Sequence, residues 1–497
     1  MLFLFIKSDN FDKIFTMRTN GILMALSSLP SKFGIGDFGK TSYEFVDIIK
    51  RCGIKFWQML PLNPLGSGNS PYSSACTFAI DPIYIDLEEL LEEGLIIGLK
   101  SCNERKKQVE YDKVRNYKNK ILREAFLNQN DTKKEAFKKF IKENPWVINY
   151  AKFLILSKKN DYKNWWLWDK KERYDAYNHE VDYSKYEDEI LFTEWCQFIA
   201  FKQFKKLKKY ASSNDIILMG DMPYYVGRDS SDAWSNQDEF LLDENDIPSK
   251  IGGVPPDYFC ADGQRWGNPC YDWEFMKEDG FSFWKERIKY MSNLFDYIRL
   301  DHFRAFSTYY AINPECPTAR DGEWKKAYGK EFFNEILPEY NSLQIFAEDL
   351  GEKAEDVEKL ILELNLPGMN VVQFTIMNSD FVTRKNQIIY TGTHDNQTLK
   401  GWINDLKEGQ KEELKILLRQ KKIKGRTLFD KMINYVLESE CDYACVPLVD
   451  YLKYDDSSRM NTPGTCGSPN WEFRITNYSD LLSNVERIKE LLKRSKR

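Results

Sequence analysis

The sequence predicts an α/β fold, a (β/α)₈ TIM barrel carrying two insertions, on three observations. Eight short apolar runs bounded by turn signals recur along the chain: ILMAL (22–26), FWQML (56–60), IILM (216–219), YIRL (297–300), IFA (345–347), MNVVQF (369–374), IIYTG (388–392) and ACVPL (444–448). Their hydrophobicity is continuous rather than alternating, as expected of strands buried on both faces in a parallel sheet covered by helices. Several are followed by helical periodicity, and the length of 497 residues exceeds the roughly 250 that a plain barrel needs, so the surplus must lie in insertions.

Behind the first run, Phe45, Ile48, Ile49 and Cys52 fall at i, i+3, i+4 and i+7. Thr41 and Glu44 form a capping-box pattern ahead of them, and Gly53 is placed to end the helix. Between the second and third runs lies the largest gap, 84–212, rich in Lys and Glu and including NWWLWDK (164–170); it predicts a helical insertion subdomain. After the third run, 227–292 contains GGVPPDYFCADGQRWGNPCYDW, whose Gly, Pro and aromatic content predicts a structured loop. Val357, Leu360, Ile361 and Leu364 repeat the helical spacing between the fifth and sixth runs. Leu481, Val485, Ile488 and Leu492 mark a last amphipathic helix whose basic tail suits a helix C-terminus. With no internal repeat or low-complexity linker, residues 1–497 read as one barrel with subdomains grafted on it.

Composition narrows the function. A formal net charge of −5 gives no basic excess for a nucleic-acid partner. No run approaches the roughly 18 apolar residues of a membrane span, and the N-terminal MLFLFIKSDNFDKIF is too short in its apolar part for a signal segment. The ten cysteines are scattered, and the close pair Cys441 and Cys445 lacks a second pair for a metal site. These features predict free thiols in a reducing, cytoplasmic setting. No G-x-G-x-x-G or P-loop follows a strand and the three histidines have no paired ligand spacing, so neither cofactor nor metal is expected. The aromatic share of 15%, where clustered beside polar groups, suits a ligand with apolar ring faces and hydroxyl edges, such as a sugar.

In a barrel, chemistry sits at the C-terminal ends of the strands. Here those ends deliver acids: Asp221, Asp301, Glu348 with Asp349, and Asp395. A single acid after a strand is most often a helix cap or a solvated turn residue, but four on different strands suggest glycoside chemistry. There, one carboxylic acid protonates the departing oxygen while a second carboxylate attacks the anomeric carbon or activates water. Arg299 and Asp301, two apart on a strand, share a face, and the cation keeps the acid ionised as a nucleophile. Glu348 suits the acid role, because neighbouring carboxylates raise its pKa. His302 and His394 are candidate hydrogen-bond donors to sugar hydroxyls, with a structural histidine as the alternative; His179 has no motif around it. The acids alone leave open whether water or a second sugar completes the reaction.

The blocks NSPYSS (69–74), MGDMPYYVG (219–227), GGVPPDYFCADGQRWGNP (252–269), YIRLDHFRAF (297–306), FAEDLG (346–351), GTHDNQT (392–398) and NTPGTCGSPNW (461–471) together resemble the 4-α-glucanotransferase (amylomaltase, disproportionating enzyme) family, glycoside hydrolase family 77. The resemblance runs in order from Thr19 to Arg474. It implies a retaining enzyme on a barrel without the C-terminal β-sandwich common in amylases. In this reading Asp301 is the nucleophile, Glu348 the general acid/base and Asp395 the transition-state stabiliser. Arg299 and His394 flank the sugar at the cleavage point, with Asp221 nearby and Tyr72 stacking on its ring. Tyr258, Phe259, Gln264 and Trp266 belong to a loop covering bound glucan, and Phe374 and Asn470 are further binding positions. The implied partners are α-1,4-glucans and maltooligosaccharides, with glucose as an acceptor. NWWLWDK reads as buried packing, with a secondary glucan platform as the alternative. The rival readings are an α-amylase-like hydrolase and a non-catalytic glucan-binding protein.

Overall fold

The computed structural model describes residues 18–256, 261–351, 354–378, 381 and 383–497. The N-terminal patch read from the sequence, and Tyr258, Phe259 and Cys260, lie outside them. The described residues form twelve strands: β1 Thr19–Leu23, β2 Phe56–Gln58, β3 Ile217–Met222, β4 Ile251–Val254, β5 Gln264–Pro269, β6 Tyr297–Leu300, β7 Thr308–Ile312, β8 Glu323–Lys326, β9 Gln344–Ala347, β10 Gly368–Val371, β11 Gln387–Tyr390 and β12 Tyr443–Pro447. Eight form one parallel sheet in the order β10-β11-β12-β1-β2-β3-β6-β9. Each corresponds to one of the eight apolar runs.

This sheet is a nearly closed (β/α)₈ barrel. At the seam between β9 and β10 the Ala347 N–H donates to the Pro367 carbonyl at 2.9 Å, and the Asp349 carboxylate accepts from the Met369 N–H at 2.7 Å. A side chain there replaces part of the missing ladder. Inside the barrel, Leu23, Phe56, Met219, Phe346, Met369, Val371, Ile388, Tyr390 and Cys445 form a separate buried cluster, which makes the lumen a packed core rather than a pore. Gly21 is required on β1, since a Cβ there would lie 2.1 Å from the Phe56 ring.

The helix Lys40–Cys52 buries Phe45, Ile48, Ile49 and Cys52 and ends at Gly53 in the left-handed conformation, as the spacing predicts. Its start differs. The N-cap is Gly39, and Thr41 and Glu44 make no capping box; instead the Asp37 carboxylate accepts from the Gly39 N–H at 3.1 Å, and the Ser42 hydroxyl bonds the Asp37 carbonyl. An acid two residues upstream has taken over the cap. The helix Ser479–Ser495 buries Leu481, Val485, Ile488 and Leu492.

Between β2 and β3 the chain forms helices including Tyr111–Asn128, Glu135–Glu143, Trp146–Lys159 and the long Glu187–Ser213. Two buried glutamines of the last, Gln197 and Gln203, exchange amide hydrogen bonds with the backbone of Ile80 and Asp86, pinning the connection to the helix. Trp165 and Trp168 of the aromatic segment are buried. Trp165 donates to the Arg228 carbonyl at 3.0 Å, so these two rings are packing.

β4 and β5 do not close on themselves. They join β7 and β8 in a four-stranded antiparallel sheet ordered β5-β4-β7-β8, so a loop after β3 and a hairpin after β6 share one sheet. The sequence reading placed no strands at 308–326. No described helix is long and apolar enough to cross a membrane.

Candidate active site

Backbone pairing that runs past the strand ends positions the acids. Asp221 lies within β3. Directly after β6, the Asp301 N–H donates to the Met222 carbonyl at 3.0 Å; directly after β9, the Glu348 N–H donates to the Leu300 carbonyl at 3.0 Å. Asp301 and Glu348 therefore sit one ladder step beyond neighbouring parallel strands, at the C-terminal mouth.

Arg299 joins the acids. Its Nη1 donates to both Asp221 carboxylate oxygens at 2.8 and 2.9 Å, and its Nη2 lies 2.8 Å from Asp301 Oδ1. The guanidinium is buried, as is Asp221, whereas the Asp301 side chain is 28% exposed and open toward the mouth. Burial opposes charge on both Arg299 and Asp221. The surrounding carboxylates nonetheless hold the Arg299 pKa well above its ordinary value, and its forked contact calls for an ionised Asp221. Removing either partner of this pair would strand a buried charge. The Tyr72 hydroxyl completes the Asp221 shell, donating to Oδ2 at 2.9 Å.

Glu348 has a different environment. Burial, joined by the Asp301 charge, pushes its pKa up to about 7, against the opposing pull of Arg299 and two backbone amides. Those amides are His302 N–H to Oε2 at 2.8 Å and Leu350 N–H to Oε1 at 3.0 Å. His302 adopts a left-handed conformation, φ 49°, uncommon for a residue with a Cβ, and the turn it makes aims this N–H at the carboxyl group. The site thus pairs an acid that can carry a proton near neutrality with another beside a guanidinium, a division of environment suited to acid and nucleophile.

Asp395 and His394 follow β11. His394 Nε2 lies 3.2 Å from Asp395 Oδ2, and the Asn461 amide donates to Asp395 Oδ1 at 2.7 Å. Burial disfavours charge on both, yet His394, Asn461 and Arg299 hold the Asp395 pKa below the usual carboxylate range, while Asp395 raises that of His394. Arg459 anchors the pair from behind, donating to the carbonyls of Asp395 and Asn461, each at 2.7 Å. The Tyr72 ring stacks on His394, centroids 5.2 Å apart with 14° between planes, and Trp471 lies 5.7 Å from Tyr72 and 5.8 Å from His394. Tyr72 thus touches both an acid and a histidine of the site. Asn461, Arg459 and Trp471 were given no role from sequence, although Asn461 and Trp471 open and close the NTPGTCGSPNW block.

The four-stranded sheet brings β5 over the mouth. Trp266 is 38% exposed, and its ring meets His302 edge-on at 4.8 Å and Tyr225 at 6.0 Å. Its indole N–H donates to Gln264 Oε1 at 3.2 Å. Burial lowers the His302 pKa to about 4, so this ring is neutral near pH 7. Two further positions named from the sequence are Phe374 and Asn470. Phe374 lies 44% exposed on the short helix Val372–Thr375 after β10. Asn470 is buried, with its amide bonded to Thr462 N–H and Thr465 Oγ1 at 2.9 Å each, shaping the 462–465 loop. Tyr258 and Phe259 fall outside the described residues. Among the described residues no group of three or more His, Cys, Asp or Glu side chains is arranged to hold a metal ion.

The chain is similar to known proteins over nearly its whole length. The family model described as 4-alpha-glucanotransferase matches residues 24–480. The chain is similar to the 4-alpha-glucanotransferase of Aquifex aeolicus, 37% identical over 487 residues, covering 96% of this chain and 99% of that protein. It is 36% identical to that of Clostridium butyricum over 468 residues, covering 91% and 95%. Among solved structures it resembles the amylomaltase from Streptococcus agalactiae in complex with acarbose, with TM-score 0.89, 33% identity, and coverage of 97% of this chain and 99% of that one.

Proposed function

Given that the chain belongs to the 4-α-glucanotransferase family, glycoside hydrolase family 77, we propose that it disproportionates α-1,4-glucans by a retaining double displacement. The observation that carries this is the contrast around Arg299: one acid, Asp301, lies at its guanidinium, and a second, Glu348, has its pKa raised to about 7 by burial and by the Asp301 charge.

In the first half-reaction Glu348 gives its proton to the glycosidic oxygen as Asp301 attacks the anomeric carbon, forming a β-linked glycosyl-enzyme and freeing the donor's reducing-end portion. In the second, Glu348 as a carboxylate removes the proton of an incoming 4-hydroxyl, which displaces Asp301. Two inversions restore the α configuration. Asp395, ionised and fixed by Asn461 and His394, holds sugar hydroxyls through bonds that strengthen as the ring flattens. Arg299, His394, Asp221 and Tyr72 line the cleavage point in this reading, and Gln264 and Trp266, with Tyr258 and Phe259, cover the glucan. Phe374 and Asn470 act at its margins, Asn470 through the loop it shapes. The likeness to an amylomaltase in complex with acarbose supports oligosaccharide binding. We read the chain between β2 and β3 and the region 227–292 as subdomains grafted on one catalytic barrel. Nine free thiols among the described residues support a reducing, cytoplasmic setting.

Transfer outcompetes hydrolysis when an acceptor hydroxyl is held in line and water is excluded, because positioning supplies effective molarities of about 10⁵ M or more. Purified protein incubated with maltotriose is expected to produce glucose and a ladder of longer maltooligosaccharides without a net rise in reducing ends. A steady rise would identify a hydrolase, and binding of maltooligosaccharide without turnover a non-catalytic protein. Trp266→Ala should retain bond cleavage but lower the transfer-to-hydrolysis ratio about tenfold, the equivalent of the roughly 1.4 kcal/mol that one lost aromatic contact supplies. Product analysis with maltotriose measures that ratio; an unchanged one would remove Trp266 from acceptor positioning.

A further inference from the structure

His394 makes only half of the hydrogen bonds that an imidazolium can make. Its Nε2 faces Asp395, while Nδ1 is buried and has no protein partner among the described residues. Such an atom in a residue 4% exposed needs an acceptor or donor, because burying a polar group without one costs about 1–3 kcal/mol. The structure offers a place for it. A cavity of about 40 Å³ is lined by His394 together with Thr393, Thr398, Asp450, Ser458 and Arg459. A water needs roughly 10–15 Å³ of such space and two to four polar partners, so the cavity has both the room and the chemistry for two or three.

Asp450 also lines that cavity, three residues past the end of β12, and is buried. Its Oδ2 accepts from the Thr391 hydroxyl at 2.6 Å and its Oδ1 from the Leu399 N–H at 2.8 Å. Each oxygen keeps a lone pair for one further bond. No step of the proposed reaction uses this acid. We propose that Asp450 is a positioning residue for His394, acting through water held in the cavity, so that both ring nitrogens donate and the imidazolium form is favoured.

The groups facing the ring are accounted for on each side. Asp395, Asp221 and Arg299 face it from the sugar side, with the Tyr72 ring stacked on it. Asp450 and Arg459 line the cavity with it, and Asp456 accepts from the N–H of Thr398, another lining residue. Arg459 is committed to two backbone carbonyls, and Asp450 is the one carboxylate among the lining residues, so it is the strongest acceptor offered to the water. Burial pushes the Asp450 pKa up to about 7, so its charge, and with it the support given to His394, grows as pH rises through neutrality. A charged His394 is a stronger donor to sugar hydroxyls than a neutral one. That kinetic consequence rests on the reading of His394 as a sugar-facing group; the positioning itself does not.

The test is a titration of ¹⁵N-histidine-labelled protein by NMR. Only three histidines are present, and the signal lost in His394→Gln identifies His394. In Asp450→Asn, which can keep the Leu399 bond on its amide oxygen and, with donor and acceptor exchanged, the Thr391 bond through its NH2, the His394 pKa is expected to fall by about one unit. Val449→Leu, which leaves Asp450 in place and fills part of the cavity with an added methylene, should lower it in the same direction and decides the matter if the Asn variant does not fold. An unchanged His394 titration in either folded variant would overturn the proposal. Maltotriose turnover by the wild-type protein, measured separately, tests the reaction itself, so the two can fail independently.

Discussion

Replacing Asp301 by Asn is expected to lower transfer from maltotriose by at least about 10⁴-fold, equivalent to roughly 5.5 kcal/mol of transition-state stabilisation. The substitution keeps the volume and one acceptor for Arg299, and the side chain is partly open to the mouth, so folding should be preserved, as circular dichroism can verify. Asp301 also has an indirect role, since its charge helps to raise the pKa of Glu348. The two roles separate by pH. If Asp301 served only to keep Glu348 protonated, the variant would recover as pH falls, because the lowered Glu348 pKa would again be matched. A nucleophile leaves no such recovery at any pH, and near-wild-type transfer in the variant would reject the assignment outright.

The second large effect is expected at Glu348→Gln, a loss of about 10²–10⁴-fold on maltotriose, the range for a positioned proton donor. The loss should depend on the leaving group. An α-glucosyl fluoride, whose fluoride departs without protonation, should still form the glycosyl-enzyme, and azide, which needs no base, should intercept it as the α-glucosyl azide. In the wild-type protein the donor must carry its proton. With the Glu348 pKa raised to about 7, kcat/KM for maltotriose is expected to be retained below that value and to fall as pH rises through it. That alkaline limb should vanish from the residual activity of the Gln variant. Equal losses on maltotriose and on the fluoride would assign the proton to another group.

The barrel was legible because its strands are buried on both faces and so leave continuous apolar runs; all eight runs became strands of one parallel sheet. The antiparallel sheet was not. β4 carries Gly252 and Gly253, where a Cβ would strike the Tyr225 ring or the Gln264 carbonyl, and β8 is exposed along its whole length, so neither shows the strand pattern. The cap at Gly39 was missed because the group that holds it, Asp37, lies upstream of the helical periodicity.

In the site, the pairing of Arg299 with Asp301 followed from their spacing on one strand. The contact of Arg299 with Asp221, 78 positions away, has no local signature. The same holds for the stacking of Tyr72 on His394 and for the Asn461 bond to Asp395, whose partners are 66 positions apart. What a strand end presents could be read; what it meets depends on the closure of the barrel.

The clustering of four acids around one buried guanidinium bears on how the pocket tolerates the reaction it is proposed to run. In the proposed first half-reaction Asp301 attacks as the anion while Glu348 carries the proton. Afterwards Asp301 is an ester and Glu348 is anionic. The protein's formal charge is therefore the same on both sides of the step, whatever the state of His394. One unit of negative charge has moved from one wall of the mouth to the other, with Arg299 fixed beside its starting point. A chamber poorly supplied with solvent can host such an exchange at low cost, because nothing ionic has to be imported or expelled as the glycosyl group changes hands.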